Sequence, residues 1–298
     1  MALIPEQPIE QIIGQSIEQS IEQLIQQASA QLDAVSDTAK LDAELLLAIA
    51  LNKDRTYLVT WNDRTVNAGD EAVFQALLNR RINGEPIAYI LGQQEFWDLT
   101  LYTAPHTLIP RADTETLIEW VIELAPGLPT EARVIDLGTG TGAIALSLAK
   151  EHPQWLVEAV DVIPQAVDLA QKNAIANDLQ RVKCYQSSWF DQVDGSFDLI
   201  VSNPPYIDPE DEHLSQGDVR FEPKSALVAD NQGLADLTTI ADQSRQYLVQ
   251  GGWLLMEHGY DQLDSVQALL TARGYHNVTT RFDLGGNPRI TGGQFFHE

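Results

Sequence analysis

The spacing of hydrophobic residues predicts helices in the amino-terminal part of the chain. Isoleucines recur every four positions over residues 9–27, which places one apolar stripe along a helix. The segments 42–52 and 70–84 have the same helical period, and Pro86 follows the second segment as a stop signal. We therefore predict a small all-helical domain over residues 1–84.

Beyond this domain the pattern changes to short extended segments. Residues 86–111 are rich in Tyr, Phe, Trp, Thr and Ile, so we predict a β-hairpin linker over residues 85–112. From residue 113 onward, apolar runs of strand length alternate with segments of helical period. The predicted strands are 132–137, 155–161, 182–187, 197–202, 252–258, 277–283 and 290–297. The predicted helices between them are 142–151, 164–178, 232–249 and 261–273.

This alternation is typical of an α/β fold with a doubly wound, mostly parallel sheet, which binds its ligands at the carboxyl ends of the strands. Helices fit between the earlier strands, but no helix fits between the last two. We therefore expect the seventh strand to return antiparallel. Residues 113–298 are expected to form one domain around this seven-stranded sheet.

The net charge argues against direct binding of nucleic acid. The 298 residues include 43 acidic and 18 basic side chains, for a formal charge of −25 at pH 7. A field of this sign repels phosphate backbones. We therefore expect no direct nucleic-acid partner.

Other compositional features argue against a disulfide, a metal site or a membrane segment. A single cysteine, Cys184, excludes an internal disulfide, and its setting suggests a buried strand thiol. The histidines are scattered without HxxxH spacing, so no metal site is expected. The first basic residue is Lys40, and no apolar run approaches the roughly 18 residues of a membrane helix. We expect a cytoplasmic monomer.

A glycine-rich turn follows the first predicted strand of the sheet. The stretch VIDLGTGTGAIALSLAK (134–150) is predicted to form a strand, a turn and a helix. Gly138, Gly140 and Gly142 allow the backbone to turn tightly and to approach a ligand, while the helix offers its N–H groups. The same stretch satisfies GxGxxA, so a nicotinamide or flavin cofactor stays open at this point. The turn predicts a nucleotide-type ligand of unspecified identity.

Two carboxylates and an aromatic residue flank this turn. Asp161 ends the second strand, 19 residues after Gly142, where a carboxylate accepts both ribose hydroxyls of an adenosine ligand. Alternatively, Asp161 caps the helix that begins near Pro164. Asp136 either hydrogen-bonds the loop or the ammonium end of the ligand, or is a structural carboxylate at the strand end. Trp189, after the third strand, lies either against an adenine face or in the core.

The stretch FDLIVSNPPYI (197–207) ends the fourth predicted strand with Asn203-Pro204-Pro205-Tyr206. As structure, proline stops a strand because it has no N–H to donate, and it extends the residue before it. As chemistry, the same rigidity would hold one backbone carbonyl and one side-chain amide at fixed angles beside the predicted ligand. From these residues alone both interpretations stand.

This tetrapeptide and several other segments resemble one family. An Asn/Asp/Ser-Pro-Pro-Tyr/Phe sequence at this place is characteristic of S-adenosylmethionine-dependent methyltransferases that modify planar exocyclic or amide nitrogens. From about residue 40 onward the chain resembles the HemK/PrmC protein-(glutamine-N5) methyltransferases. The matching segments are RTYL (55–58), PIAYILGQQEFW (86–97), LIPRADTETLIEWV (108–121), VIDLGTGTGAIALSLA (134–149), FDLIVSNPPYI (197–207), EPKSAL (222–227), NQGLADL (231–237) and GGWLLMEHGYDQ (251–262).

The resemblance implies a fold, an activity and a set of partners. The fold would be that of class I S-adenosylmethionine-dependent methyltransferases, with residues 113–298 as the catalytic domain. The activity would be methyl transfer from S-adenosyl-L-methionine to the N5 amide nitrogen of the glutamine in the Gly-Gly-Gln (GGQ) motif of class I peptide chain release factors. The helical domain would grip the release factor.

The resemblance also implies roles for individual residues. The Asn203 side-chain oxygen and the Pro204 carbonyl would each accept one N–H of the substrate amide, and the Tyr206 ring would cover that amide. Pro205 and Arg111 would complete the substrate site. The implied cofactor contacts are Asp136, Gly138, Thr139, Gly140, Thr141, Gly142, Asp161, Ser188, Trp189 and Asn203.

A few positions depart from the family pattern or allow a second interpretation. Ser188 stands where such proteins commonly have Asp, so a hydroxyl would have to replace a carboxylate at the adenine amino group. Arg111 and Glu222 resemble positions at the mouth of the active site, but an ion pair that stabilises the fold is an equally good interpretation. Glu257 is interpreted as structural. The tripeptide 292–294 repeats Gly-Gly-Gln inside the last predicted strand, which indicates coincidence rather than self-methylation.

Three other functions stay open from the residues. A nucleic-acid amino methyltransferase, acting on adenine N6 or guanine N2, shares the NPPY sequence but needs a basic approach surface. A nicotinamide or flavin oxidoreductase would leave NPPY unexplained. A catalytically silent partner of the translation machinery would bind S-adenosylmethionine without turnover.

Overall fold

Helices dominate the amino-terminal part of the chain. The computed structural model describes residues 19–297, and its first helices are α1 (Ile21–Leu32), α2 (Ala39–Leu51), α3 (Arg55–Thr60), α4 (Ala68–Ile82) and α5 (Ile87–Leu91). The first of these begins with a capping box, in which the side chains of Ser20 and Gln23 each accept the backbone N–H of the other residue.

An apolar core joins these helices. Leu24, Leu46 and Phe74, from α1, α2 and α4, are all buried in it. Beside it, Arg81 Nε of α4 donates to Asp42 Oδ2 of α2 at 2.7 Å, with both side chains buried. Because a buried charge is tolerated only when it is paired, this contact fixes how α4 packs on α2.

The isoleucine stripe predicted over residues 9–27 lies partly outside the described residues. Within them, Ile21 is buried and Ile25 is half-buried on α1. The helix continues to Leu32, five residues beyond the predicted end, because Ala28 and Leu32 extend the same apolar face.

The remaining elements build an α/β unit. The strands are β1 (Gln93–Phe96), β2 (Leu99–Tyr102), β3 (Arg133–Leu137), β4 (Leu156–Asp161), β5 (Lys183–Gln186), β6 (Phe197–Ser202), β7 (Leu248–Glu257), β8 (Tyr275–Phe282) and β9 (Pro288–Phe295). The helices are α6 (Glu115–Leu124), α7 (Ala143–Glu151), α8 (Pro164–Ala176), α9 (Ala235–Gln243) and α10 (Leu263–Ala272). Strands β1 and β2 form an antiparallel hairpin, and the other seven form one sheet.

The order of strands in the large sheet is β5-β4-β3-β6-β7-β9-β8. Strands β3, β4, β5, β6 and β7 are parallel, whereas β9 is antiparallel to both of its neighbours. The predicted seven-stranded sheet with an antiparallel last strand is therefore confirmed. The direction of winding reverses between β3 and β6, so the carboxyl end of β3 lies where ligands bind in such sheets.

Both faces of this sheet are covered. Along β3, Val134 packs into one apolar cluster with Leu146 of α7, and Ile135 packs into the other with Leu254 of β7. Successive side chains of a strand point to opposite faces, so a strand buried on both faces has an almost continuous apolar sequence. This burial explains the run VIDL in the sequence.

The structure differs from the prediction at several elements. Helices α3 and α5 were not predicted, and α5 lies inside the segment 85–112 that was expected to form only a hairpin. The sequence pattern identified no helix over 115–124, where α6 packs Leu117 and Val121 into the core. The helix predicted over 232–249 is shorter, because α9 ends at Gln243 and β7 already begins at Leu248. Leu248 pairs with the first residue of β6, so sheet pairing overrides the helical period there.

Packing divides the chain at Leu91 and Gly92 into two compact units. The β1–β2 hairpin belongs to the second unit. The predicted segments 1–84, 85–112 and 113–298 rest on the sequence pattern, and they and their roles remain predictions.

Candidate active site

A cavity of about 260 Å³ lies at the carboxyl ends of the parallel strands. The predicted residues that line it are Arg111, Gly138, Thr139, Gly140, Thr141, Asp161, Ser188, Trp189, Asn203 and Pro205. The structure thus brings together most of the predicted cofactor and substrate positions. Asp136, Gly142, Pro204 and Tyr206 are not part of its wall.

The glycine loop after β3 needs its glycines for backbone conformation. Gly138, Gly140 and Gly142 have φ values of 72°, 56° and 86°, a region that other residues adopt only with strain. A Cβ at Gly142 would lie 3.0 Å from Leu146 Cδ1, whereas a Cβ at Gly140 would meet nothing within 4 Å. A side chain at position 142 would therefore crowd Leu146 of α7, whereas Gly140 leaves open space at the cavity.

Asp136 lies beneath this loop and is completely buried. Its Oδ2 accepts from the Thr139 hydroxyl at 2.6 Å and from the Ala145 N–H at 3.3 Å, while Oδ1 has no hydrogen-bond partner among the described residues. Burial raises the pKa of Asp136 to about 7. The contact with the loop is present in the structure, and a contact with a ligand ammonium remains a prediction.

Asp161 at the end of β4 holds the glycine loop. Its Oδ2 accepts from the Gly140 N–H at 2.9 Å and its Oδ1 from the Ile163 N–H at 2.9 Å. Burial raises the pKa of Asp161, and these backbone N–H groups oppose the rise. Helix α8 has Ile163 as its N-cap, without a side-chain cap, so Asp161 bonds the residue before the helix rather than capping it. The ribose role remains a prediction.

Ser188 and Trp189 form another part of the wall. Ser188 is exposed, and its carbonyl accepts from the Asp191 N–H at 3.0 Å. Trp189 has φ 46°, and its ring lies 3.5 Å from the place of a Cβ on Gly138. The ring also packs against the core cluster around Phe190. The two interpretations of Trp189 are therefore compatible, since one face meets the core and the side chain lines the cavity.

The segment after β6 presents a side-chain amide to the cavity. Asn203 Nδ2 donates to Thr114 Oγ1 at 3.1 Å, whereas its Oδ1 makes no hydrogen bond in the described part of the chain. Just before it, the Ser202 hydroxyl donates to the Leu137 carbonyl at 2.7 Å, which ties the ends of β6 and β3 together. Asn203 therefore has an open acceptor atom beside the glycine loop.

Tyr206 is held from several sides. Its hydroxyl donates to Glu257 Oε1 at 3.2 Å, and its carbonyl accepts from Gln262 Nε2 at 3.0 Å. Burial, with the nearby Glu257 carboxylate, raises the pKa of the Tyr206 hydroxyl. The ring packs against the core rather than lining the cavity. A role of Tyr206 as a cover for a substrate amide remains a prediction.

Glu257 is 1% exposed at the end of β7. Burial raises the pKa of Glu257 to about 7, although Thr114, Tyr206 and Arg289 oppose the rise. Its Oε2 has no hydrogen-bond partner within residues 19–297. Arg289 is itself paired with Asp113, at 2.9 Å. A purely structural role does not account for all contacts of Glu257. Its carboxyl accepts from Tyr206 and lies near Thr114, which lines the cavity.

Arg111 and Glu222 form an ion pair with each other. Glu222 is buried, and its other carboxylate oxygen accepts from the Ile109 N–H at 2.9 Å. Burial raises the pKa of Glu222, and the Arg111 guanidinium opposes the rise. The ion pair is therefore present, and Arg111 also lines the cavity, whereas Glu222 is not part of its wall.

Several residues of the cavity wall were not identified from the sequence. Among them are Thr114, His106, Ser225 and Asp236. Thr114 lies in the LIPRADTE segment and Asp236 in NQGLADL, which are two of the segments that carry the family resemblance. Burial and the nearby Asp230 raise the pKa of Asp236. The position of Thr114 and Asp236 in these segments is the sequence signal that could have identified them.

Features outside the cavity agree with structural roles. Gln294 of the 292–294 tripeptide lies in β9, donates to the Gly251 carbonyl and accepts from Asn277, so its amide is already bonded. Burial raises the pKa of the Cys184 thiol to about 11. Among residues 19–297 there is no group of three or more metal-ligating side chains, and no helix there is long and apolar enough to cross a membrane.

Both parts of the chain match models of known protein families. Residues 23–92 match the family model of the PrmC N-terminal domain, and residues 114–222 match that of the methyltransferase small domain. The chain is 54% identical to a release factor glutamine methyltransferase from Pseudomonas aeruginosa and 51% identical to one from Salmonella typhimurium. Each alignment spans 261 residues, which is 87% of this chain and 94% of the relative.

A solved structure has the same fold as the second unit. A methyltransferase from Pyrococcus furiosus superposes with a TM-score of 0.51 at 19% identity, over 74% of this chain and 98% of that chain. At this identity the likeness concerns the fold alone. The seven-stranded sheet with its antiparallel last strand is thus that of the class I methyltransferase fold.

Proposed function

The chain belongs to the family of release factor glutamine methyltransferases, and from that membership we propose that it methylates the N5 amide nitrogen of the glutamine in the GGQ motif of peptide chain release factors. The methyl donor is S-adenosylmethionine, which supplies an electrophilic sulfonium methyl group when bound. One observation carries the proposal. Asn203 lines the cavity together with the glycine loop and Asp161, and its amide oxygen accepts no hydrogen bond from residues 19–297.

The residues present fit this cofactor. Gly140 leaves open space where a side chain would stand, so a ligand can approach the loop backbone. Asp161 keeps free lone pairs on both carboxylate oxygens after its two backbone bonds, which suits the ribose hydroxyls. The Trp189 ring offers a flat apolar surface for adenine, and the buried Asp136 places a carboxyl group beneath the loop. Ser188 offers a hydroxyl at the same wall.

The substrate amide is a poor nucleophile because its nitrogen lone pair is delocalised into the carbonyl. Asn203 Oδ1 and the Pro204 carbonyl would each accept one amide N–H, which raises the electron density on nitrogen and fixes its direction. Pro204 suits this role because its ring holds the backbone rigidly without adding a donor. The contribution of these residues is therefore positioning and electrostatic preorganisation.

No strong base is needed before the transfer. Once the C–N bond has formed, the methylated nitrogen is acidic and releases one proton to solvent or to an acceptor. Tyr206 does not take up this proton, because burial raises the pKa of its hydroxyl, which stays protonated and is no base. The ring is the part of Tyr206 left to cover the substrate.

Further parts of the proposal concern partners and location. We propose that the helical unit, whose residues 23–92 match a domain model of this family, recognises the release factor. We also propose that the enzyme acts as a monomer in the cytoplasm. The formal charge of −25 favours a protein substrate over a nucleic-acid substrate, because phosphate backbones are repelled.

A labelling experiment tests the activity. The purified protein is incubated with methyl-labelled S-adenosylmethionine and either a release factor or the same factor with Gln→Ala in its GGQ motif. Label in the unmodified factor alone is the expected result. Label in RNA or DNA instead would identify the chain as a nucleic-acid amino methyltransferase.

A variant tests the residue that carries the proposal. Asn203→Ala should bind S-adenosylmethionine normally but methylate at least about 100-fold more slowly, since it removes an oriented acceptor at the reacting group. Asn177→Ala is the matched control, because Asn177 ends α8 and does not line the cavity. Normal methylation by Asn203→Ala would contradict the proposed role.

A further inference from the structure

The Asn203 amide can occupy its site in two orientations. A half-turn about its last side-chain bond exchanges Oδ1 and Nδ2, which are nearly equal in size but opposite in hydrogen bonding. With Oδ1 toward the cavity, Asn203 accepts an N–H of the substrate amide. With Nδ2 toward the cavity, two donors would face each other and the substrate could not bind productively. The orientation of Asn203 therefore decides whether it assists the reaction.

Thr114 makes the contact that distinguishes these orientations. Its Oγ1 accepts from Asn203 Nδ2 at 3.1 Å, across 89 positions of sequence. Thr114 directly precedes α6, a position where threonine side chains commonly cap the first turn of a helix, yet it makes no cap hydrogen bond. The side chain is 4% exposed and lines the cavity wall. Its hydroxyl thus serves Asn203 instead of the helix.

Glu257 determines how the Thr114 hydroxyl is used. A hydroxyl has one proton, and the Thr114 hydroxyl lies close enough to the buried Glu257 to lower the pKa of its carboxyl. The Tyr206 hydroxyl donates to Glu257 Oε1 at 3.2 Å. Above its pKa of about 7 the Glu257 carboxylate is ionised and is an acceptor only, so the Thr114 proton is drawn toward Glu257 and a lone pair is left for Asn203. An amide oxygen placed there would meet no proton.

We propose that Thr114 is a positioning residue, which together with Glu257 holds the Asn203 amide with Oδ1 toward the substrate. The inference rests on the proposed amide methylation, because a substrate whose amide presents N–H groups to Asn203 needs this acceptor. Thr114 acts through Asn203 and does not itself contact the reacting atoms.

Two substitutions at Thr114 separate the hydroxyl from the shape of the side chain. Thr114→Val keeps the shape and removes the hydroxyl, so kcat for release factor methylation should fall about 3- to 30-fold, as expected for one lost hydrogen bond. The KM for the release factor and the Kd of S-adenosylmethionine should stay within about twofold of the wild-type values. Thr114→Ser keeps the hydroxyl and should restore kcat to within about twofold.

Thr116→Val is the matched control, because Thr116 is a buried threonine of the same helix outside the cavity. It should leave kcat unchanged. Wild-type kcat in Thr114→Val would overturn the inference, as would a low kcat in both Thr114 variants or a loss that follows weaker cofactor binding. Failure of the wild-type protein to label any release factor would instead overturn the proposed function, and with it the premise of this inference.

Discussion

The Gly140 N–H donates to Asp161 Oδ2 at 2.9 Å, which joins the glycine loop after β3 to the acid at the end of β4. The second carboxylate oxygen accepts from Ile163 at the start of α8. One side chain thus holds two loops of the cofactor cavity before any ligand binds. A preformed site costs less free energy to order on binding.

Asp161→Asn should weaken cofactor binding. Asparagine keeps the shape but removes the charge and one acceptor oxygen, so we expect the Kd for S-adenosylmethionine to rise about 10- to 100-fold, as for a hydrogen bond to a charged group. Isothermal titration calorimetry measures this change. Asp168→Asn, on the exposed face of α8, is the control and should leave the Kd unchanged. Equal affinities in both variants would remove Asp161 from the cofactor site.

Gly233→Ala should disturb the Tyr206 segment. A Cβ at Gly233 would lie 2.0 Å from the Tyr206 carbonyl oxygen and 2.7 Å from Gln262 Nε2, so the segment would have to move. Gly274→Ala is the control, because Gly274 has a similar φ, 82° against 76°, but nothing within 4 Å of its Cβ position. Both variants should lose about 1–2 kcal/mol of stability from backbone strain.

The two glycine variants should differ in activity. We expect kcat for methylation to fall at least about 10-fold in Gly233→Ala, because a small displacement of an aligned group has a large effect on rate. Gly274→Ala should keep the wild-type kcat once its folded fraction is taken into account. Measuring kcat and urea unfolding for both variants separates activity from stability. Equal kcat values in the two variants would show that methylation does not depend on the position of Tyr206.

Arg111→Met should leave buried Glu222 without its counter-charge. We expect a loss of about 1–3 kcal/mol in the free energy of unfolding at pH 8, which is below the usual range for a fully buried pair because Arg111 is partly exposed. The pKa of Glu222, already raised by burial, should rise further. The difference from wild type should therefore shrink as the pH falls and the carboxyl is protonated.

Urea unfolding at pH 8 and pH 5 tests this expectation. Arg273→Met is the control, since its partner Asp242 is exposed whereas Glu222 is buried, and its pair should contribute less than about 1 kcal/mol. A difference between Arg111→Met and wild type that grows as the pH falls would contradict the assigned pairing.

Glu257→Gln should remove a pH dependence of stability. The pKa of Glu257 is about 7 in the folded chain against an ordinary value of 4.5, so between these pH values the folded state keeps a proton that the unfolded state releases. Raising the pH through this window therefore destabilises the wild-type protein, whereas glutamine does not titrate. The variant should gain stability relative to wild type from pH 5 to pH 8, by up to about 3 kcal/mol.

Denaturant unfolding of both proteins across this pH range gives the difference. Asp136, whose pKa is also raised to about 7, titrates in both proteins and cancels when they are subtracted. If the difference in unfolding free energy between the two proteins does not change from pH 5 to pH 8, the pKa of Glu257 is not raised in the folded chain.

Much of the α/β unit could be predicted because its signals are local. The strand predicted over 197–202 matches β6, and the glycine turn lies where the pattern indicates. Helix α6 was missed although Leu117 and Val121 have helical spacing, because that segment follows a stretch rich in strand formers. The start of β7 at Leu248 could not be predicted from the neighbouring residues, because it depends on pairing with β6.

For the cavity, the sequence by itself determined the types of group and the strand ends where they stand. Glycines that need positive φ, an acid after the second sheet strand and an amide before two prolines are visible because backbone preferences and periods act over a few residues. Only the tertiary structure decided which of these groups have partners. Arg111 finds Glu222 across 111 positions, and Asn203 finds Thr114 across 89. No local preference carries that information, since packing around the sheet brings these segments together.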